Sequence, residues 1–82
     1  MASVADTEEL VRFVVTSLVD VPDAVSIGCK ELEHSIAFEV TLDPSDVGKV
    51  IGRQGRIIKA IRTLARAAGS SDDKQVEVEI LG

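Results

Sequence analysis

The feature that most constrains this chain is a helical stretch that two glycines interrupt. Residues 47–69 read VGKVIGRQGRIIKAIRTLARAAG, and apolar side chains recur through them at the three- and four-residue spacing of an amphipathic helix. Gly52 and Gly55 break that period, because glycine enters positive-φ backbone at little cost and commonly ends helices. The pattern predicts a short helix, a turn over residues 52–55 and a longer helix.

Positive charge is concentrated in the same stretch. It contains six bases and no acid, whereas the rest of the chain holds three bases against fourteen acids. The protein is acidic as a whole, at −5, but it combines a segment of +6 with a remainder near −11. Charge that is segregated in this way usually faces a polyanion. The six bases are Lys49, Arg53, Arg56, Lys59, Arg62 and Arg66.

The predicted turn is suited to a phosphate group. Gly55 stands just before the second helix, so an approaching group would meet bare backbone there. The first N–H groups of a helix have no intrahelical partners, and the helix dipole adds partial positive charge at that end. A phosphate is a natural occupant of such a position. Lys49, Arg53 and Arg56 add full charges nearby, and a guanidinium group can bind phosphate oxygens through two hydrogen bonds.

A G-x-x-G pattern alone can simply turn a helix hairpin, and this one lacks the spacing of a Walker loop or a dinucleotide fingerprint. Its context is more informative. On a helical wheel the four bases from Arg56 to Arg66 share about one third of the circumference, and apolar side chains fill the opposing arc. Those apolar residues are Ile57, Ile58, Ile61, Leu64, Ala65 and Ala68.

The residues from Ile51 to Ile61, I-G-R-Q-G-R-I-I-K-A-I, resemble the signature of the KH domain, I-G-x-x-G-x-x-I-K-x-I, without a gap. The chain from Asp6 to Ile80 also resembles the small stand-alone KH proteins of bacteria, the KhpA type. This resemblance implies single-stranded RNA binding, with the loop clamping the backbone of about four nucleotides. The residues it assigns to RNA binding are Lys49, Val50, Ile51, Gly52, Arg53, Gln54, Gly55, Arg56, Ile58, Lys59, Ala60 and Arg62.

The resemblance also implies where the RNA groove lies. In KH families this groove runs between the helix pair and the adjacent strand. Carried onto this chain, its floor would include Val50, Ile51, Ile58 and Ala60, and residues from Ile36 to Val40 would form the far wall.

The flanking sequence predicts an N-terminal tail over residues 1–5 and a single domain over residues 6–82. Asp6 followed by Glu9 has the spacing of a capping box, which predicts a first helix running to about Asp20. Pro22 discourages continuation beyond that point.

Alternating apolar side chains predict three strands. The first is centred on Ile27 and places Cys29 on its inward face; the second covers Ile36 to Leu42, and the third covers Val76 to Ile80. A short connection near Glu33 makes the first two strands a hairpin.

The remaining signals complete the predicted order α-β-β-α-α-β. Asp43 and Pro44 suit the start of the short helix, and Gly69 suits the C-cap of the longer one. Two helices connect the last two strands, so a right-handed parallel crossover is expected. Because each strand is apolar on one side, the fold class is an α+β two-layer sandwich, a three-stranded mixed sheet with helices on one face. The KH resemblance implies its type II arrangement, with the second strand central.

The outer face of this predicted sheet is acidic. It carries Glu39, Glu77 and Glu79, whose charges repel phosphate. We therefore expect RNA to approach along the helical edge.

Catalysis is not expected, and neither a cofactor nor a metal is predicted. His34 lies near the predicted hairpin turn with no second histidine, and Cys29 has the position of a small buried hydrophobe. A single cysteine excludes an intrachain disulfide and a metal site made of cysteines. The acidic N-terminus lacks the basic region of a signal peptide, and no apolar run near it is long enough to span a bilayer. We expect a cytoplasmic protein without membrane association.

Aromatic residues are scarce, with two Phe and no Trp or Tyr, which argues against binding modes that stack bases on aromatic platforms. A single module of this kind binds weakly. Avidity would follow from a homodimer, or from a complex with the larger KH-containing protein, KhpB (Jag), that the resemblance implies as a partner. Two alternatives stay open: a protein-interaction or dimerisation module that keeps the KH shape, and a protein that binds single-stranded DNA.

Overall fold

The computed structural model describes residues 3–71 and 73–81, and its helices and strands follow the predicted order. They are α1 (Val4–Leu18), β1 (Ser26–Glu31), β2 (Ser35–Thr41), α2 (Val47–Ile51), α3 (Arg56–Gly69) and β3 (Gln75–Leu81). Short 3-10 turns cover Pro22–Ala24, Pro44–Asp46 and Arg53–Gly55. Residues 1 and 2 of the predicted tail, position 72 of the loop before β3, and residue 82 lie outside the described residues.

Within the described residues, the three strands form one mixed sheet with β2 in the centre. β1 pairs with β2 in antiparallel orientation, and β2 pairs with β3 in parallel orientation across the connection that contains α2 and α3. Phe38 of β2 lies opposite Cys29 on one side and Val78 on the other. The predicted fold class is confirmed, and its strand order is the one expected for a type II KH domain.

The core lies between one face of the sheet and the helices. Phe38 and Val78 point inward from the sheet and are 0% and 1% exposed, while Val15, Val50 and Ala65 from the three helices are each 0% exposed. Burying an apolar side chain of this kind contributes roughly 1.5–3 kcal/mol for the larger residues. The alternation in the sequence therefore selects which face of each strand turns inward. Among the described helices, none combines the length and the apolar composition needed to cross a lipid bilayer.

The first helix begins earlier than the sequence suggested. Ser3 is its N-cap, and the Ser3 Oγ accepts a hydrogen bond from the Asp6 N–H at 3.1 Å. The predicted capping box from Asp6 to Glu9 is therefore wrong. Ser3 and Asp6 have the same three-residue spacing one turn earlier, so the sequence held two equivalent start signals. The helix ends at Leu18, shortly before the predicted Asp20.

Cys29 departs from its predicted burial. It lies on the inward face of the sheet opposite Phe38, as the alternation predicted, yet it is exposed. β1 is an edge strand and the helices cover only its start: Val25, just before the strand, is buried, and Ile27 is partly buried. A period of two identifies the face of a strand, but it does not reveal how far the helix layer extends across that face.

The other face of the sheet is open and acidic, as predicted. The register places Glu39 directly opposite Glu79 and places Glu77 on the same face. A Cβ atom built at Gly28, on this face of β1, would meet nothing within 4 Å. No described segment packs over Gly28, and the carboxylates beside it disfavour phosphate there.

Gly69 is required for close packing, and it is not the C-cap of α3 that the sequence predicted. It is the last residue of α3, and its φ is not positive. A Cβ atom at this position would lie 2.6 Å from the Thr7 Oγ1 and 3.1 Å from the Val76 Cγ2. Thr7 is held in place because its hydroxyl donates a hydrogen bond to the Ser3 carbonyl at 3.0 Å. The missing side chain lets the start of α1 approach the end of α3.

Gly69→Ala is expected to destabilise the fold by about 1–3 kcal/mol, because the added methyl group overpacks this contact. The matched control is Gly48→Ala in α2, where a Cβ atom meets nothing within 4 Å. Helix propensity favours alanine there by roughly 0.5–1 kcal/mol. Urea unfolding followed by circular dichroism measures both changes, and a Gly69→Ala protein as stable as the parent would contradict the packing role.

Candidate functional site

The predicted turn joins α2 to α3 through three residues with positive φ. Gly52 ends α2 with φ 76° and ψ 172°, and Gly55 precedes α3 with φ 72° and ψ 17°. Gln54 lies between them at φ 58°, and it is the one non-glycine residue in the described chain with positive φ. The Gly52 N–H donates to the Gly48 carbonyl at 2.9 Å, and the Gly55 N–H donates to the Gly52 carbonyl at 3.1 Å. The predicted arrangement of short helix, turn and longer helix is confirmed.

The two glycines are needed for different reasons. A Cβ atom at Gly52 would lie 2.6 Å from the Ile57 Cγ1 and 2.9 Å from the Ile57 Cβ, so the backbone here passes close to a core side chain. A Cβ atom at Gly55 would meet its nearest neighbour, the Ile58 Cγ2, at an ordinary 3.9 Å. Gly52 is thus required by both conformation and space, whereas Gly55 is required by conformation alone.

The backbone at the tip of the turn is open to solvent. Arg53 and Gln54 are exposed. In the described chain, the hydrogen bonds around the turn use the N–H groups of Gly52, Gly55 and Arg56, and they leave those of Arg53 and Gln54 without an acceptor. α3 starts directly after Gly55, and no side chain caps its first turn. An anionic group can therefore bind to main-chain N–H groups at this end of α3.

Three exposed bases surround the turn. Arg53, Arg56 and Lys59 are exposed, and none of them takes part in an ion pair with another described residue. The Arg56 Nη2 donates to the Gln54 Oε1 at 3.1 Å, which holds the guanidinium group beside the turn. These bases supply full positive charge next to the open N–H groups.

Lys49 forms ion pairs with other parts of the fold. Its ammonium group donates hydrogen bonds to the carboxylates of Asp20 and Asp46, the latter at 3.0 Å. The bond to Asp20, followed by the bond to Asp46, raises the pKa of Lys49 above its ordinary value. From the sequence, Lys49 is predicted to offer its charge to phosphate. The structure corrects this, because two carboxylates already surround the ammonium group.

Asp46 is a residue of the site that sequence reasoning missed. Its side chain is 0% exposed, and its two oxygens accept hydrogen bonds from the N–H groups of Asp20 at 3.2 Å and Val21 at 3.0 Å. Burial alone would raise the pKa of Asp46, but these donors and the Lys49 ammonium outweigh burial and hold it below its ordinary value. An aspartate before a short helix normally indicates a cap of that helix, so no sequence signal pointed to partners 25 and 26 residues away.

Arg62 and Arg66 lie against the edge of the sheet. The Arg62 Nε donates to the Val78 carbonyl at 3.1 Å, and the Arg66 Nε donates to the Val76 carbonyl at 3.2 Å. Arg66 also pairs with Glu77 at 3.0 Å. The two side chains cover the outer edge of β3, which would otherwise offer carbonyl groups to another strand. Arg62, predicted to bind RNA, thus bonds to the main chain of β3.

An open groove of about 410 Å³ lies between α3 and β3. This is not the groove that the resemblance predicted, since Val50 and Ile58 are 0% and 6% exposed and belong to the core. The inward side chains of β2, the predicted far wall, are likewise covered, because β2 is the central strand. The groove between α3 and β3 is lined by Lys59, Arg62, Thr63, Arg66, Glu77, Val78 and Glu79.

The structure therefore divides the predicted site residues into groups. Val50 and Ile58 pack beneath the turn, Ile51 is partly buried, and Ala60 is exposed on α3. Lys49 and Arg62 make structural bonds. The basic surface consists of the exposed residues Arg53, Gln54, Arg56 and Lys59 together with the partly exposed Gly52 and Gly55.

A family model described as "KhpA/KhpB, KH domain" matches residues 8–80 of the chain. Several similar proteins carry the name "RNA-binding protein KhpA". The one from Clostridium perfringens is 49% identical over 74 residues, which cover 90% of this chain and 99% of its own length. The one from Listeria monocytogenes is 46% identical over 74 residues, which cover 90% of this chain and 97% of its own length. The one from Bacillus subtilis is 47% identical over 73 residues, which cover 89% of this chain and 90% of its own length.

Among solved structures, the fold is similar to part of Era. The crystal structure of Era in complex with MgGDPNP and nucleotides 1506-1542 of 16S ribosomal RNA gives a TM-score of 0.62 at 19% identity. The match covers 92% of this chain but 30% of the Era chain. The crystal structure of an Aquifex aeolicus Era variant bound to GDP.AlF4- gives the same TM-score and identity. At this identity the likeness shows the fold alone.

Gly52→Ala is expected to destabilise the fold more than Gly55→Ala. Each variant forces alanine into positive φ, which costs roughly 1–2 kcal/mol. At Gly52 the new Cβ would also lie 2.6 Å from the Ile57 Cγ1, and such overpacking adds roughly 1–3 kcal/mol. Thermal unfolding of the two variants side by side measures the difference. Equal unfolding temperatures would show that the close approach of Ile57 imposes no constraint.

Proposed function

Because this chain belongs to the KhpA/KhpB family of KH domains, we propose that it is a non-catalytic protein that binds single-stranded RNA through the turn at residues 52–55. Its role would be that of an RNA chaperone or post-transcriptional regulator. The observation that carries the proposal is the exposed turn. It combines open N–H groups with three bases that form no ion pair with another described residue. The proposal implies a cytoplasmic location, which suits a chain whose one cysteine forms no intrachain disulfide.

In the proposed complex, the sugar-phosphate backbone rests on the main chain of the turn. The N–H groups of Arg53 and Gln54 and the start of α3 would bind phosphate oxygens, and the side chains of Arg53, Arg56 and Lys59 would neutralise charge. The acidic outer face of the sheet repels the strand, so it is directed to the helical side. From the turn, about four nucleotides can follow the α3 side of the groove between α3 and β3, where Lys59 and Arg62 lie opposite the acids of β3.

The bases would be held without aromatic stacking at this surface. Phe38 is 0% exposed in the core, and Phe13 lies on α1. The lining of the groove offers Thr63 and the stems of Lys59 and Arg62. Contacts of this kind favour backbone binding of modest affinity over a strict base code.

Charge reversal at the tip of the turn tests the proposal. The double variant Arg53→Asp, Gln54→Asp should bind a single-stranded RNA oligonucleotide about tenfold more weakly or worse, because carboxylates replace the groups that face phosphate. The matched control is Lys30→Asp, Ser26→Asp on the outer face of β1, which changes the net charge equally. Fluorescence anisotropy measures both affinities, and circular dichroism checks that both variants are folded.

The dependence on salt gives a second readout of the same titration. With about three or four phosphate contacts, log affinity of the parent protein should fall against log salt with a slope near −2 to −3. The turn is not the binding site if both double variants weaken binding equally.

Matched RNA and DNA oligonucleotides at one salt concentration decide the DNA alternative, and equal affinity for the two would extend the proposal to single strands in general.

A second candidate function is assembly, which exposed apolar side chains on the helices favour. Phe13 of α1 is 70% exposed and Leu64 of α3 is 49% exposed. Large apolar side chains that face water often mark protein interfaces. We propose that this helical surface forms a homodimer or contacts a larger KH-containing protein of the KhpB type. Two linked modules would bind RNA far more tightly than one. In the alternative of a pure interaction module, the surface would act without any RNA binding at the turn.

Phe13→Glu should shift the protein toward monomer, because a charge replaces the apolar group at the proposed interface. Leu81→Glu is the matched control, since Leu81 is 44% exposed at the end of β3 and belongs to neither α1 nor α3. Sedimentation velocity at several concentrations measures the assembly state of the parent and of both variants. A parent that sediments strictly as a monomer, both alone and with a KhpB-type protein, would remove the assembly proposal.

A further inference from the structure

The first helix of the turn is too short to hold itself in place. α2 has five residues, Val47–Ile51, and Gly52 follows directly. Isolated helices shorter than about 12–15 residues are marginal in water. The orientation of the turn therefore depends on the contacts that fasten α2 to the rest of the fold.

Asp46 supplies such a contact in an unusual way. It occupies the N-cap of α2, where an aspartate normally accepts a hydrogen bond from its own helix, yet its side chain makes no capping bond. The carboxylate is instead fully buried and accepts hydrogen bonds from the N–H groups of Asp20 and Val21. Those two residues lie just beyond α1, so the side chain connects the start of α2 to the end of α1.

Lys49 completes this connection from the same helix. Its ammonium group binds Asp46 at 3.0 Å and also binds the exposed carboxylate of Asp20. The buried negative charge is thereby paired and its oxygens are satisfied. No buried side-chain polar atom among the described residues is left without a partner.

We propose that Asp46 is the positioning residue of the RNA-binding turn, and that Lys49 serves the same connection instead of contacting phosphate. This inference rests on the function proposed above for the turn. Together the two residues hold α2 against the end of α1, and the position of Gly52 is fixed with it.

Asp46→Asn tests the connection with little change in shape. An amide has one acceptor oxygen, so its NH₂ group would face a backbone N–H or the Lys49 ammonium, and at least one donor would lose its partner. Unpaired buried donors are costly. The expected consequence is loosening of α2, because the bonds that join its N-cap to the residues after α1 are weakened. The matched control is Asp43→Asn, since among the described residues the Asp43 carboxylate bonds only to Ser45, at 2.9 and 2.7 Å.

Two readouts on each variant separate positioning from general stability. Amide hydrogen exchange by NMR should become faster at Gly52 and Gly55 in Asp46→Asn and stay unchanged at Phe38 in β2. A purely structural role would accelerate exchange at all three. RNA affinity, measured by anisotropy, should fall about tenfold, which corresponds to about 1.4 kcal/mol. Asp43→Asn should leave both readouts as in the parent.

Lys49→Met provides the second variant should Asp46→Asn fail to fold. We expect weaker RNA binding with an unchanged salt slope and faster exchange at Gly52. A salt slope smaller by about 0.7 would instead show that Lys49 neutralises a phosphate, and this would overturn the inference. Parent-like exchange at Gly52 and parent-like RNA affinity in Asp46→Asn would overturn it as well. Because the exchange measurement needs no RNA, it decides whether Asp46 positions the turn even if the parent fails to bind RNA, a result that would refute the proposed function alone.

Discussion

The contact between the backbone of Gly52 and the side chain of Ile57 is the constraint on which the functional end of the fold depends. The missing Cβ allows the end of α2 to pass within contact distance of a partly buried side chain at the start of α3. Positive φ at Gly52 then turns the chain outward, and Gln54 and Gly55 keep it there in left-handed backbone. The same geometry that closes the helix pair over the core therefore leaves main-chain N–H groups facing solvent. Packing and proposed binding are two consequences of one bend.

The positive charge of residues 47–69 serves two purposes that could not be distinguished from the sequence. Three of its six bases make internal bonds: Lys49 pairs with carboxylates near α1, and Arg62 and Arg66 cover the edge of β3. The other three surround the turn. Part of the segregated charge thus stabilises the sheet and the helix pair, and the rest forms the basic surface. This division also explains why an acidic protein can offer a local site for a polyanion.

The fold and the turn could largely be predicted from the sequence, because both depend on local signals. Periods of two and of 3.6 residues selected the strand and helix faces, and the glycines marked the bend. What the sequence could not supply was long-range pairing. The partners of Asp46 lie 25 and 26 residues away, and those of Arg62 and Arg66 lie on a strand edge known only after the sheet is assembled. The exposure of Cys29 likewise depends on how far the helices extend over β1.

In the proposed complex, a single strand of RNA rests on the main chain of the turn. The most direct measurement is a titration of ¹⁵N-labelled protein with a short single-stranded RNA, followed through the backbone amide signals. The largest shifts should occur at Arg53, Gln54 and the first residues of α3, with little change at Gly28 and Glu39 on the outer sheet face. Shifts centred on the sheet face, or a turn whose amides do not respond, would contradict it.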